Sequence, residues 1–127
     1  MNEGRFLIVD LEMESKSDLT ALKRALGRNV VVLEQGPVEP GCFELRLETS
    51  PQYGSADDTI CAFCSHLEKL APRAKQTWNN AHRKVFDIGF ETAGLKQPTQ
   101  FSINNHTLKR VSALGATIGI TIYPRQK

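Results

Sequence analysis

Cys61-Ala62-Phe63-Cys64 is a cysteine pair at a spacing that could do chemistry. Two thiolates so placed can hold a metal ion or cycle through a disulfide, and Cys42, His66 and His82 could complete a four-ligand zinc set. The pair is only half of a zinc motif, because structural zinc sites combine two such knuckles on turns where the thiolates converge. Here it falls in the second turn of an amphipathic helical pattern, with Ile60, Phe63, Cys64, Leu67 and Leu70 on one stripe. Thioredoxin-like chemistry needs its first cysteine at a helix N-terminus, where backbone amides lower the thiol pKa. With Ser55 as the N-cap, Cys61 stands too far inside. Cys64 is therefore expected in the core and Cys61 at its margin, and a small metal or thiol enzyme using this pair stays as the alternative reading.

His66, His82 and His106 are scattered, without a nucleophile or an orienting carboxylate at a recognisable spacing, so no catalytic residue and no metal ligand is assigned. The stretches "GSADD" and "LGATIG" lack the order of a phosphate loop, and no cofactor is expected. Lys69, Arg73, Lys75, Arg83 and Lys84, with Trp78 among them, invite a nucleic-acid reading through phosphate contacts and stacking. The competing reading is a solvated helix face with Trp78 as a lid on the core. An RNA-binding sheet displays aromatics on the open faces of its first and third strands. The third strand here hides Phe43 and shows Glu44, Arg46 and Glu48, which repel phosphate, so no nucleic-acid partner is expected.

The elements that carry these residues are marked by their periodicity. In the first strand Leu7, Val9, Leu11 and Met13 fall on one face, and Phe6, Ile8, Asp10, Glu12 and Glu14 on the other. A helix follows with Ser17 as N-cap, Leu19, Leu22, Ala25 and Leu26 inward, and Gly27 as its stop. Strands over 30–36 and 41–48, joined by the turn-rich "GPVEPG", predict a hairpin. Ser55 and Asp58 stand at capping-box spacing before the cysteine-bearing helix, and Pro72 ends or restarts it ahead of a shorter helical piece. The next strand alternates Phe86, Ile88 and Phe90 against Val85, Asp87, Gly89 and Glu91. A loop over 92–100 then leads to a helix from Asn104 with Leu108, Val111 and Leu114 inward, a Gly115 stop, and a strand of Ile118, Ile120 and Ile122 closed by Pro124.

This order predicts an α+β fold: a ferredoxin-like βαββαβ sheet covered by helices on one face, with an added C-terminal helix and strand. A chain of 127 residues, 40% apolar and 24% charged, suits one globular domain over 1–127 without extensive disorder. The apolar run Phe6 to Val9 is too short, and too soon cut by Asp10, for a signal peptide or membrane span. Three cysteines without framework spacing suit a reducing compartment, so a cytoplasmic location and no membrane partner are expected.

A net charge of +2 implies no partner by itself; its placement is more informative. The open sheet face is expected to collect Asp10, Glu12, Glu44, Glu48, Asp87 and Glu91, with Arg46, Tyr123, Phe6 and Ile8 among them. Such a face is either a solubilising surface with cross-strand ion pairs or a docking face for a basic partner.

The motif Phe86-Asp87-Ile88-Gly89-Phe90, followed by Leu114-Gly115 and a final strand ending Tyr123-Pro124, resembles a large group of small bacterial domains of unknown function. In that group an alternating aromatic strand precedes a short helix and a last strand ending in Tyr-Pro. Some of these domains look like immunity proteins that neutralise a toxin made by the same cell. The resemblance, the acidic face and the missing catalytic constellation together lead to the expectation of a non-enzymatic, cytoplasmic protein-binding domain of the immunity type, which docks that face onto a basic toxin such as a nuclease. A homodimer packing sheet against sheet through Phe6, Ile8 and Tyr123, or a small-ligand regulatory domain, is the third option.

Overall fold

A computed structural model of the chain describes residues 5–92 and 98–124. The middle of the loop expected after the fourth strand, 93–97, lies outside the described residues.

Alternation governs the first strand, β1 (Arg5–Ser15). Val9, Leu11 and Met13 are wholly withdrawn from solvent, while Asp10, Glu12 and Glu14 between them keep part of their surface in water. The hairpin of β2 (Val30–Glu39) and β3 (Cys42–Thr49) turns at Pro40-Gly41, tighter than the six-residue connection expected. Gly41 there has φ of +77°, a conformation that penalises any side chain. β4 (Arg83–Thr92) pairs antiparallel with β1, and β5 (Thr117–Pro124) runs parallel to β4. The sheet order is β2-β3-β1-β4-β5, antiparallel except at its last step. The protein is thus an α+β fold with one mixed five-stranded sheet and four helices: α1 (Thr20–Leu26), α2 (Ala56–Glu68), α3 (Pro72–Asn80) and α4 (Asn105–Ala113).

The helices supply one apolar layer. Leu22 and Leu26 of α1, Ile60, Phe63, Cys64 and Leu67 of α2, Trp78 of α3 and Val111 of α4 bury against Val9, Leu11, Met13, Leu45, Leu47, Phe86 and Ile88 of the sheet. Each large side chain so buried contributes about 1.5–3 kcal/mol of transfer free energy, and this one-sided burial leaves the opposite sheet face open. Among the described residues no helix is long and apolar enough to cross a membrane.

Local signals fix most helix ends. Ser55 Oγ accepts the Asp58 N–H at 3.1 Å, and Asp57 and Asp58 sit at the positive end of the α2 dipole. Pro72 opens α3, where its missing N–H costs nothing. Gly27, with φ of +53°, ends α1 as expected. The expected Ser17 cap is not used. The N-cap position of α1 is Leu19, and Asp18 Oδ1 instead accepts the Thr20 N–H at 2.8 Å, turning the chain just ahead of the helix.

α4 lies alongside α2 and runs in the same direction, held by three ties on successive turns. Asp57 Oδ1 accepts the Asn104 N–H at 2.9 Å, Cys61 Sγ and Thr107 Oγ1 are 3.1 Å apart, and Arg110 makes a two-pronged pair with Glu68 at 2.8 and 2.9 Å. This seam sets the rotation of α4: Thr107, Val111 and Leu114 turn inward, and Leu108, expected inside, is left 44% exposed. Ile120 and Ile122 lie on the helix-covered side by their register with Ile88 and Phe90, yet remain mostly in solvent.

A bulge overturns the expected phase at the start of β1. Phe6 pairs with Phe90 but Ile8 with Gly89, so one extra residue is accommodated at Leu7. Phe6 consequently turns to the helix side, edge-to-face with Phe90 at 6.2 Å, while Leu7 lies on the open side beside Gly89.

Trp78 joins α3 to the end of α4. Its Nε1–H donates to the Leu114 carbonyl at 2.9 Å, satisfying a helix-terminal acceptor, and Lys84 Nζ lies 5.2 Å from its ring centroid. Trp78→Phe removes the only described donor to that carbonyl and trims the packed ring, so stability should fall by about 1–3 kcal/mol, read as a lower urea midpoint at constant m. An unchanged midpoint would show that the tie contributes nothing.

Candidate docking face

The open face is built by the side chains of β1, β3 and β4 that alternate with the core rows, and by the matching residues of the edge strands. Glu12 stands opposite Arg46 and Val85, Glu14 opposite Glu44 and Arg83, and Asp10 directly opposite Asp87. All eight residues singled out in the sequence, Asp10, Glu12, Glu44, Arg46, Glu48, Asp87, Glu91 and Tyr123, point to this side. Glu14, on the same side of β1, joins them, and the structure adds Arg5, Glu34, Glu39 and Arg83, bringing the face to nine carboxylates and three guanidinium groups among the described residues.

The arginines partition the field. Arg46 Nη1 donates to Glu34 Oε1 at 2.7 Å, and its Nε lies 3.3 Å from Asp10 Oδ2, close enough for an ion pair but not aligned for a hydrogen bond. Arg83 spans Glu12 at 3.3 Å and Glu14 at 3.9 Å, and Arg5 meets Glu91 at 3.0 Å. These pairs are largely exposed and each is worth at most about 1 kcal/mol. Asp87 is fixed by the Thr121 hydroxyl, which donates to its two oxygens at 2.8 and 3.0 Å. Between Glu12, Glu14, Glu44, Arg46 and Arg83 the surface dips into a depression of about 370 Å³.

Crowding perturbs two of the carboxyls. Burial pushes the Asp10 carboxyl above its ordinary range; Arg46 opposes the shift and Glu48 adds to it. Its Oδ1 has no hydrogen-bond donor among the described residues. Glu44 is also raised, first because its carboxyl hydrogen-bonds to that of Glu34, then through loss of solvent and the charges of Glu34 and Glu14.

The other end of the face is apolar. The Tyr123 ring lies over Gly89, where an added Cβ would meet Tyr123 Cε2 at 3.4 Å and the Ile8 carbonyl oxygen at 3.5 Å. Leu7 and Ile8 flank it, so a patch of Leu7, Ile8 and Tyr123 adjoins the acidic field. The Phe6 expected in this patch is on the opposite side.

No family model, curated protein or solved structure matches the chain.

The remaining sequence candidates are dispersed. Cys64 is buried, and that burial raises its thiol to about 11, against formation of a thiolate. Cys61 faces Thr107, and Cys42 lies on β3 with its thiol raised by desolvation and by Glu14, Glu39 and Glu44. Among the described residues no three His, Cys, Asp or Glu side chains converge as a metal donor set. Trp78 is enclosed in the core and unavailable for stacking, while Arg83 belongs to the acidic face, so the basic run does not form one surface. His82 faces Glu14 at 3.7 Å, His66 is half-buried on α2, and His106 is exposed on α4.

Raised carboxyl values have a definite effect on stability. A group that holds its proton more tightly when folded favours the folded state as pH falls toward the folded value, and that contribution is lost as pH rises through it. Asp10 and Glu44 therefore add stability on acidification from neutral pH toward the carboxylate range. Glu68, whose value is lowered first by its hydrogen bond from Arg110, acts oppositely and only at more acidic pH. Across the ordinary carboxylate range, acidification should cost the wild type less thermal stability than it costs Asp10→Asn, as read from midpoints at a series of pH values down from neutrality. Equal slopes would show that Asp10 titrates normally.

Proposed function

We propose that the protein is a non-enzymatic binding domain of the immunity type, which docks its open sheet face onto a basic protein partner such as a toxin nuclease. The observation that carries this reading is the carboxylate excess that survives pairing: among the described residues nine acids meet three arginines, with Glu44 crowded by Glu34 and Glu14, and Asp10 by Glu48 and Glu12. Like charges held this close repel in the free protein, and a cationic partner relieves them. The Leu7, Ile8 and Tyr123 patch supplies apolar area beside the acidic field that a docked surface can desolvate.

Two further features support the same reading. The antiparallel order β2-β3-β1-β4, with α1 leading into β2 and α2 and α3 leading into β4, favours a ferredoxin-like split unit extended by α4 and β5. In that architecture one sheet face is free to bind. The C-terminal pattern Phe86-Asp87-Ile88-Gly89-Phe90, Leu114-Gly115 and Tyr123-Pro124 favours the group of small bacterial domains that includes immunity-like proteins. Gly89 and Tyr123 of that pattern are in contact on the open face, which gives part of it a structural reason.

The test is an affinity measurement against the basic protein retained from the source organism's lysate. Glu44→Lys combined with Asp87→Lys should weaken binding by roughly tenfold or more at low salt, and the difference should shrink as salt screens the face. Unchanged affinity would remove this face as the docking surface.

A further inference from the structure

The two edges of the sheet are built differently. β2 carries the devices that discourage strand pairing: Glu34 and Glu39, Pro37 without a donor, and two register irregularities against β3. β5 carries none along its length. Its sequence "TIGITIYP" has no charge before the final proline, and its register with β4 is continuous over all eight residues. Ile120 and Ile122 are 61% and 62% exposed, although their register with Ile88 and Phe90 puts them on the helix-covered side. An uncharged, β-branched, unbroken edge is an unusual thing to leave in water.

We propose that β5 pairs antiparallel with β5 of a second copy about a two-fold axis at Ile120. This inference concerns the sheet edge and does not rest on the docking reading of the open face. The strand is self-complementary in that register. Ile120 stands opposite itself, Ile118 opposite the partner's Ile122, and Gly119 opposite the partner's Thr121. Thr117 falls opposite the partner's Tyr123. Every cross-strand pair then joins apolar or β-branched groups, or an aromatic with a threonine, and nowhere are like charges opposed. The exposed isoleucines form one continuous apolar row across the junction on the helix side. Pairing β5 with β2 of another copy would instead set this row against an acidic, bulged, proline-bearing strand and propagate head to tail without closing. A two-fold β5 contact closes, consumes the vulnerable edge, and leaves β2 outermost at both ends of a ten-stranded sheet.

Sedimentation velocity of the full chain across a concentration range tests this. Wild type should be a dimer, and Ile120→Lys with Ile122→Lys should be a folded monomer with the wild-type circular-dichroism spectrum, because within one protomer both side chains are already largely in solvent, and with a thermal midpoint that no longer rises with protein concentration. Val31→Lys, on the exposed β2 edge, should remain dimeric. In the wild type, amides of residues 117–123 should exchange more slowly as concentration rises, a readout that needs no variant. A wild-type monomer at concentrations on the order of 100 μM, an open-ended series of oligomers, a dimer that survives the double lysine variant, or concentration-independent exchange in β5 would each overturn the proposal.

Discussion

The two-sidedness of β1 is the constraint on which the rest of the molecule depends. Val9, Leu11 and Met13 have no solvent exposure at all, while Asp10 and its neighbours alternate with them on the other side. A strand of period two cannot slip by one residue without carrying carboxylates into the core and leucines into water. That penalty fixes the register with β3 and β4 and the side on which the helices pack. The acidic face follows from the same register: β3 and β4 inherit the alternation and stack their own acids and arginines beside those of β1. Core and candidate site are thus two readings of one set of strand pairings.

Much of this was legible in the sequence because strong periodicity survives tertiary context. Met13, Leu45, Phe86 and Cys64 were assignable to the interior from spacing alone, and Ser55 and Gly27 marked helix ends through local chemistry that acts within a turn. What escaped notice depended on relations between distant segments. Nothing in "GRFLIVD" announces a bulge, which exists because β1 must accommodate β4 at Gly89. Leu108 fits an inward position by spacing, yet α4 is turned by Asp57, Cys61 and Glu68, three residues some forty or more positions earlier. Arg83 reads as one more cation in a helical run until β4 is seen to begin with it, and Glu34 joins the open face through a register irregularity in β2 that the local pattern does not display.

The open face also illustrates how partial compensation differs from neutralisation. Three guanidinium groups pair with five of the carboxylates, Asp10, Glu12, Glu14, Glu34 and Glu91, and so order part of the face without cancelling its charge. The result is a fixed pattern of charge rather than a set of independently solvated side chains. Thr121 contributes to that order from the edge strand by clamping Asp87, so the carboxylate opposed to Asp10 has little freedom to swing away. Such ordering lowers the entropy that a partner's binding would otherwise have to remove.

The charge segregation has a consequence for the molecule as a whole. Among the described residues, nine carboxylates and three of the lysines and arginines lie on one sheet face, so in a chain of net charge +2 much of the described positive charge lies elsewhere. The protein is therefore a pronounced electric dipole whose isoelectric point describes neither end. It should orient in the field of any charged surface it approaches, presenting the sheet to cations and its remaining surface to polyanions, and adsorb to both kinds of ion-exchange matrix under one buffer condition.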